Sequence, residues 1–164
     1  MTASTRPAIA PATYRIDPAR STIRFACKGM FGLATVRGTF TVRHGTIVVA
    51  GDVTQSTVTA TVNAGSVESG SKRRDADLRS KRFLDTDRHP EITFTSREVT
   101  DNTVTGTLTA HGVSQPVTLT VTPEAGGRFV ATTRIDRYAF GVTSSKGMVA
   151  QYVDLTLEIA AHPL

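Results

Sequence analysis

The fold is decided by the stretch Thr103–Ala110, which reads Thr-Val-Thr-Gly-Thr-Leu-Thr-Ala. Threonine fills every second position, and Val, Gly, Leu and Ala fill the positions between. Successive side chains of a β-strand point to opposite faces, so a period of two is the strand pattern. The stretch therefore predicts a strand with one threonine face and one apolar face.

The same pattern recurs along the whole chain of 164 residues, which contains 27 threonines and 17 valines. Both residue types are β-branched and favour strands. Turn pairs such as His44-Gly45 and His111-Gly112 separate the runs, and no long helical pattern lies between them. An antiparallel meander of about eight to nine strands is predicted. The other predicted strands are Thr22–Lys28, Ala34–Val42, Thr46–Val53, Ser56–Val62, Glu91–Arg97, Val117–Val121, Arg128–Ile135 and Tyr152–Ile159.

One stretch, residues 69–84, has neither threonine nor valine and shows no alternation. Ser71 is a suitable N-cap for a short helix, and Asp75 and Asp77 would lie near its positive N-terminal end. A single helix within a β meander usually covers an open end or edge of the sheet. Its predicted apolar anchors are Leu78, Phe83 and Leu84.

The predicted architecture is an all-β, eight-stranded antiparallel barrel with one short helix closing an end. Eight strands enclose a space that side chains just fill, or that holds one small ligand when they do not. Two interpretations stay open: an apolar bore filled by a long ligand, or a flattened barrel without a cavity. The inward positions are often small, and we assign to them Ala26, Ala34, Ala60, Gly106 and Ala110.

Charge and cysteine content limit the class of function. The net charge is +5, and basic residues concentrate in residues 72–82. Acidic residues interleave with them and Phe83 is the only aromatic nearby, whereas single-strand binders place aromatic platforms beside the charge. A solvated helix face is therefore favoured, and nucleic acid is not a predicted partner. The single cysteine, Cys27, excludes an intrachain disulfide and is interpreted as a core or barrel-lining thiol.

No catalytic or metal-binding motif is visible, so the sequence predicts a protein that is not an enzyme, with no catalytic residues and no metal site. A nucleophile elbow, a glycine-rich phosphate loop and a metalloprotease helix are all missing. None of the histidines is paired with another at the spacing typical of metal ligands. The four histidines are His44, His89, His111 and His162.

The beginning of the chain predicts cytoplasmic localisation, unless a leader has been removed. Residues 1–12 contain two prolines and no apolar run of a secretory signal, and we interpret them as a flexible tail before a single domain over residues 13–164. No run approaches the roughly 20 apolar residues of a membrane-spanning helix, so stable membrane insertion is not predicted.

Several motifs follow one another in a recognisable order and together resemble the YceI-like family over roughly residues 13–160. One motif alone would be weakly specific, whereas the ordered series is strongly specific. The motifs are Tyr14–Asp17, Val36–Phe40, Arg74–Ser80, His89–Ser96, Gly106–Val113 and Ile135–Gly141.

The resemblance implies a lipocalin-like β-barrel whose tunnel binds a polyisoprenoid chain, such as a polyprenyl phosphate or an isoprenoid quinone. The implied role is carriage, storage or sequestration of that lipid, with no other cofactor. A homodimer could form through exposed strand edges or a barrel side. Two alternatives remain: a small hydrolase or isomerase that uses the same cavity, and a basic barrel that binds nucleic acid.

The predicted ligand-binding residues fall into an apolar and a polar group. The aromatic side chains either line the tunnel or form packing layers. The polar residues either contact a headgroup or tie the helix to a strand. The chain departs from the family pattern at Asp77, where His is usual, and at Ala139, where Asp is usual. The predicted residues are Phe25, Phe40, Leu78, Phe83, Phe94, Leu108 and Phe140, with Arg74, Asp75 and Arg137.

Overall fold

Antiparallel strands form a closed ring in the computed structural model, which describes residues 9–164. The predicted tail therefore lies largely outside the described residues. Ile9 packs against the apolar core. The elements are β1 Ala12–Ile16, β2 Thr22–Gly29, β3 Ala34–Phe40, β4 Val42–Val49, β5 Thr57–Asn63, α1 Lys72–Arg79, β6 Glu91–Val99, β7 Thr103–Ala110, β8 Val113–Glu124, β9 Arg128–Asp136 and β10 Tyr152–Pro163.

The ten strand segments occupy eight positions around the barrel. β1 and β2 pair with different parts of β10: Ile16 lies opposite Ala161, and Thr22 lies opposite Glu158. They therefore act as one interrupted strand. β3 and β4 are likewise separated by Thr41 alone. The remaining strands complete the ring through β5 to β10, which confirms the predicted eight-stranded antiparallel barrel.

The predicted turn at His44-Gly45 is wrong, because both residues lie within β4. The register of β4 against β5 shifts between Val42 and His44, which marks a β-bulge. A Cβ atom at Gly45 would lie 2.5 Å from Cδ1 of Ile16. Gly45 is therefore needed for close packing between strands. From the sequence pattern alone, a glycine of this kind looks the same as a glycine in a turn.

The two ends of the barrel are built differently. The end that we call the helix end carries the longer connections, residues 64–90 and 137–151, together with the turn between β2 and β3. At the opposite end, which we call the closed end, β1 bridges β4 and β10 and completes the ring. The closed end is thus formed by continuous strand pairing, whereas loops cover the helix end.

The threonine faces point outward, as predicted. Thr57, Thr59, Thr118 and Thr120 are all exposed, and hydroxyl groups hydrogen-bond across neighbouring strands on this surface.

One inward assignment is wrong: Ala26 lies between the buried Phe25 and Cys27. The pleat of β2 therefore directs Ala26 to the outer face, with Arg24.

Helix α1 lies at the helix end, where its Leu78 packs against a cluster that contains Phe83 and Phe140. Ser71 is its N-cap, and its side chain accepts a hydrogen bond from the backbone N–H of Arg74 at 3.2 Å. Thr39 of β3 bridges to Glu68 in the segment before the helix, whereas β5 pairs with β4 and β6. The prediction of a helix that covers an opening is confirmed. In residues 9–164 there is no helix of the length and apolar character that crossing a bilayer requires.

Candidate functional site

Three apolar clusters pack inside the barrel. The first occupies the closed end around Tyr14, Ile16 and Phe129. The second occupies the helix end around Phe83 and Phe140. The third lies against the wall formed by β6 and β7.

A strip of inner wall remains outside these clusters. In the described part of the chain, Ala34 and Val36 of β3 and Val153 and Leu155 of β10 belong to none of the three. All four are only partly buried, although the strand alternation directs them inward. Their partial exposure is the behaviour expected of side chains that border unfilled space. We call these four residues the uncovered strip.

Cys27 lies beside this strip, opposite Val36. Its Sγ lies 3.6 Å from the carbonyl oxygen of Ala150. Burial raises the pKa of the thiol, and the positive charge of Arg137 opposes that rise. Cys27 is therefore a buried thiol of the barrel wall, as the sequence predicted.

Two of the predicted aromatic residues lie over glycines of the neighbouring strand. A Cβ atom at Gly38 would lie 2.6 Å from Cε1 of Phe25, and one at Gly106 would lie 2.6 Å from Cζ of Phe94. The glycines let the two rings lie flat against the sheet. Phe25 also contacts Phe40, with ring centroids 5.4 Å apart. These three rings therefore narrow the interior along its walls.

The other predicted apolar residues meet at the helix end. Phe83 and Phe140 are buried there, and Leu78 and Leu108 pack against them. Leu78 and Phe83 come from the helix and the segment after it, so the structure bears out these two predicted anchors, whereas the third, Leu84, is not part of the cluster.

Arg74 and Asp75 hold the loop that leads into the helix. The Arg74 guanidinium donates to the hydroxyl and the carbonyl oxygen of Ser69, at 2.9 and 2.7 Å. The buried Asp75 carboxylate accepts from the backbone N–H and the hydroxyl of the same Ser69. The predicted tie from the helix to a strand is not observed: both side chains bind Ser69, because the short loop before the helix places that residue beside them.

Arg137 is buried and holds a different loop. Its guanidinium donates to the carbonyl oxygens of Ala150, Val142 and Val149, at 2.8 to 2.9 Å. The guanidinium donors of Arg137 are therefore directed at backbone carbonyls. Residue 139, where the resemblance implies an aspartate, is an alanine and offers no carboxylate. The predicted link from Arg137 to the helix pair is not observed.

The basic run also has structural partners. Arg79 donates to the carbonyl oxygens of Gly65 and Val67. Arg82 pairs with Asp77 at 3.1 Å and donates to the hydroxyl of Ser145. Arg79 and Arg82 thus fasten the segments around the helix to one another, a role that the predicted solvated helix face did not include.

Sequence reasoning missed an exposed apolar group at the helix end. Met30, Phe31 and Leu33 in the turn after β2 are 61, 73 and 86% exposed, and Met148 is 49% exposed. The backbone N–H of Phe31 donates to the carbonyl oxygen of Met148, which joins the two loops. We call these four residues the apolar rim. It lies directly before Ala34 of the uncovered strip.

Sequence reasoning also missed a cluster of Asp85, His89 and His111. The fold brings one ligand atom from each to within 4.8 Å of the others. The histidines lie on separate elements, so their spacing in the chain carries no sign of the contact.

The outer wall carries a shallow depression of about 500 Å³ across β8, β9 and β10. Threonines line most of it, and Arg134 pairs there with Asp154 at 2.8 Å. The depression is open to solvent, and its lining includes a charged pair, so it does not enclose a long apolar chain.

Comparison with known proteins identifies close relatives. Residues 14–161 match the family model described as a YceI-like domain. A UPF0312 protein of Yersinia enterocolitica is 38% identical over 115 residues, which cover 62% of this chain and 60% of that protein. Protein YceI of Escherichia coli O17:K52:H18 is 36% identical over the same length and coverage. The aligned part of the chain thus spans about 60% of the length of these curated relatives.

Two solved structures have the same fold. BcnA of Burkholderia cenocepacia has a TM-score of 0.75 at 22% identity, covering 88% of this chain and 98% of BcnA. A protein of Saccharophagus degradans described as a polyisoprenoid binding domain has a TM-score of 0.72 at 16% identity, covering 94% of this chain and 100% of that domain. At these identities the likeness concerns the fold.

Proposed function

This chain belongs to the YceI-like family, and from that membership and the uncovered strip we propose that it binds a long isoprenoid lipid inside the barrel. The lipid is a polyprenyl phosphate or an isoprenoid quinone, and the role is carriage, storage or sequestration without catalysis. The observation that carries the proposal is the strip of inward apolar side chains that no core cluster covers.

Burial of the isoprenoid chain supplies the affinity of the protein for the lipid. Apolar surface withdrawn from water contributes on the order of 25 cal/mol per Å². Within residues 9–164, none of the three core clusters includes Val36 or Leu155, and an incompletely packed side chain forfeits dispersion contacts. An isoprenoid chain along the strip restores those contacts, so the lipid and the barrel stabilise each other.

Entry takes place beside β3. All of β3 pairs with β2 on one side, and on the other side the strand pairing found in residues 9–164 is the isolated bridge from Thr39 to Glu68. The apolar rim lies at the start of this strand and offers a first contact for a lipid that leaves a membrane or a partner. The lipid proposed here is of the class given for the Saccharophagus degradans protein of the same fold, which is described as a polyisoprenoid binding domain.

The headgroup stays at the helix end. Arg74, Asp75 and Arg137 are engaged by Ser69 and by backbone carbonyls, so we assign them to the scaffold that holds the opening. Two exposed cations lie close to the apolar rim in sequence: Lys28 two residues before Met30, and Lys146 two residues before Met148. They are our candidates for contact with a phosphate.

Native mass spectrometry of freshly purified protein, followed by organic extraction, tests the proposal. We expect an apolar adduct built of isoprene units. Stripped protein should also bind an added polyprenyl phosphate or quinone. Val36→Trp fills the strip and should abolish binding, whereas Thr35→Trp places the same ring on the exposed outer face and should bind normally.

Two results would overturn the proposal. One is stripped protein that binds neither lipid. The other is binding that survives Val36→Trp in a protein whose circular dichroism is unchanged, because the lipid would then lie elsewhere. Turnover of the extracted lipid by the wild-type protein would favour the alternative of a small hydrolase or isomerase.

A further inference from the structure

The cluster of Asp85, His89 and His111 takes no part in the proposed lipid binding. Two imidazoles and a carboxylate are a donor set that suits divalent transition metals. From their convergence within 4.8 Å we propose that these three residues form a site for a divalent transition-metal ion, with Zn²⁺ as the reference ion.

His111 is already oriented as a ligand. Its Nδ1 lies 3.0 Å from the carbonyl oxygen of Phe140. A carbonyl oxygen only accepts, so Nδ1 carries the proton and Nε2 keeps its lone pair. Metal-binding histidines typically donate their other ring N–H to a carbonyl or carboxylate in this way.

Glycines make room for both imidazoles. A Cβ atom at Gly112 would lie 2.8 Å from Cε1 of His89, and one at Gly141 would lie 3.3 Å from Nδ1 of His111. Both glycines have positive φ, +73° and +79°. The rings contact each other edge to face, with centroids 5.2 Å apart. The two donors are therefore held by packing on both sides.

Asp85 supplies the negative charge. It is 8% exposed, and none of the ion pairs found within residues 9–164 involves it. Its backbone carbonyl oxygen accepts from the N–H groups of Arg88 and His89, at 3.1 and 2.9 Å. That turn places the carboxylate beside the His89 ring. A buried carboxylate is costly without a cation partner, and a metal ion provides one.

Small movements complete the geometry. Zn²⁺ binds imidazole nitrogen and carboxylate oxygen at about 2.0–2.2 Å, so tetrahedral ligand atoms lie roughly 3.3 Å apart. Half-buried imidazoles leave one side open to water as a fourth ligand. The ion would join the segment after helix α1 to the turn between β7 and β8, and so fasten the helix end.

Calorimetric titration of chelator-treated protein with Zn²⁺ tests the site, and Co²⁺ is a spectroscopic probe of the same ligands. We expect one ion per chain, a raised melting temperature, and visible Co²⁺ absorption bands. His89→Asn and Asp85→Asn should each weaken binding at least about 10-fold. The matched controls His44→Asn and His162→Asn alter exposed histidines and should bind as the wild type does.

The outcomes separate cleanly when circular dichroism shows that each variant is folded. Loss confined to the cluster variants supports the site. Absence of saturable binding up to ~100 µM Zn²⁺, or equal loss in the exposed-histidine controls, overturns it. Lipid binding by the stripped protein is measured separately and does not depend on the ion.

Discussion

The closed end and the helix end of this barrel are held together by different kinds of interaction. At the closed end, backbone pairing through β1 completes the wall, and Tyr14, Ile16 and Phe129 pack into one cluster. At the helix end, side chains fasten loops instead: Arg137 holds residues 142–150, and Arg79 holds the segment before the helix. The first arrangement gives stability to the whole barrel, and the second gives an opening that side chains control.

Because of this difference, the two ends should respond differently to the loss of a side chain. Continuous β pairing is cooperative, so loss of packing at the closed end is felt by the entire fold. Loops held by a few side chains can open locally without unfolding the sheet. Under the proposed function, the helix end is where a lipid would enter, and the closed end keeps the barrel folded while it does so.

The largest expected effect is a difference in the free energy of unfolding lost when an aromatic ring is removed from either end. Phe129→Ala leaves a cavity in the closed-end cluster and should cost about 3–5 kcal/mol of the free energy of unfolding. Phe83→Ala removes an equal ring at the helix end, where the loops can adjust, and should cost about 2 kcal/mol. Urea denaturation of both variants measures the difference. Equal losses would contradict the expected difference between the two ends.

The next effect concerns Arg137 and the loop that it holds. Arg137→Met keeps the length of the side chain but leaves three backbone carbonyls without their donor, at a cost of about 3 kcal/mol. We expect faster proteolysis within residues 142–150. Urea denaturation and peptide mapping of limited digests report the two changes.

Arg134→Met is the matched control for Arg137→Met. Arg134 lies on the outer face in an exposed ion pair with Asp154, and such pairs contribute little. If Arg134→Met matched the loss caused by Arg137→Met, the role of the carbonyl contacts would be refuted.

The regular parts of the fold were predictable because their patterns are local. Thr103–Ala110 was predicted with its observed bounds, and the capped helix after Ser71 follows from residue types close in sequence. The position of β1 was missed, since Ala12–Ile16 is short and depends on pairing with the distant β10. Long-range pairing leaves little mark on a five-residue segment.

The site was less predictable, for a related reason. The apolar side chains of the barrel follow from alternation, but alternation does not reveal which inward residues a core cluster will cover. The partners of Arg74 and Arg137 are a hydroxyl and backbone carbonyls, which any sequence offers in abundance. Asp85, His89 and His111 meet through loop geometry, which spacing along the chain does not encode.

A smaller effect concerns the apolar rim. The double substitution Phe31→Ser with Leu33→Ser removes exposed side chains, so stability should change little. Transfer of a fluorescent isoprenoid lipid from vesicles should slow several-fold, because the first apolar contact is lost. Stopped-flow transfer measurements test this. The same double change at exposed Thr118 and Thr120 on the outer wall is the control, and a comparable slowing there would show that the rim has no special role.

The smallest expected effect probes the interior through Cys27. Burial raises the pKa of its thiol, so native protein should react slowly with iodoacetamide near pH 8 and faster as the pH rises. Protein unfolded in urea should react at the rate of a free thiol. Bound lipid should slow the native reaction further, because Cys27 lies opposite Val36 of the uncovered strip. Mass spectrometry of timed samples gives the rates. A native rate equal to the unfolded rate would place Cys27 in open solvent, and a lipid without effect on it would move the ligand away from β2 and β3.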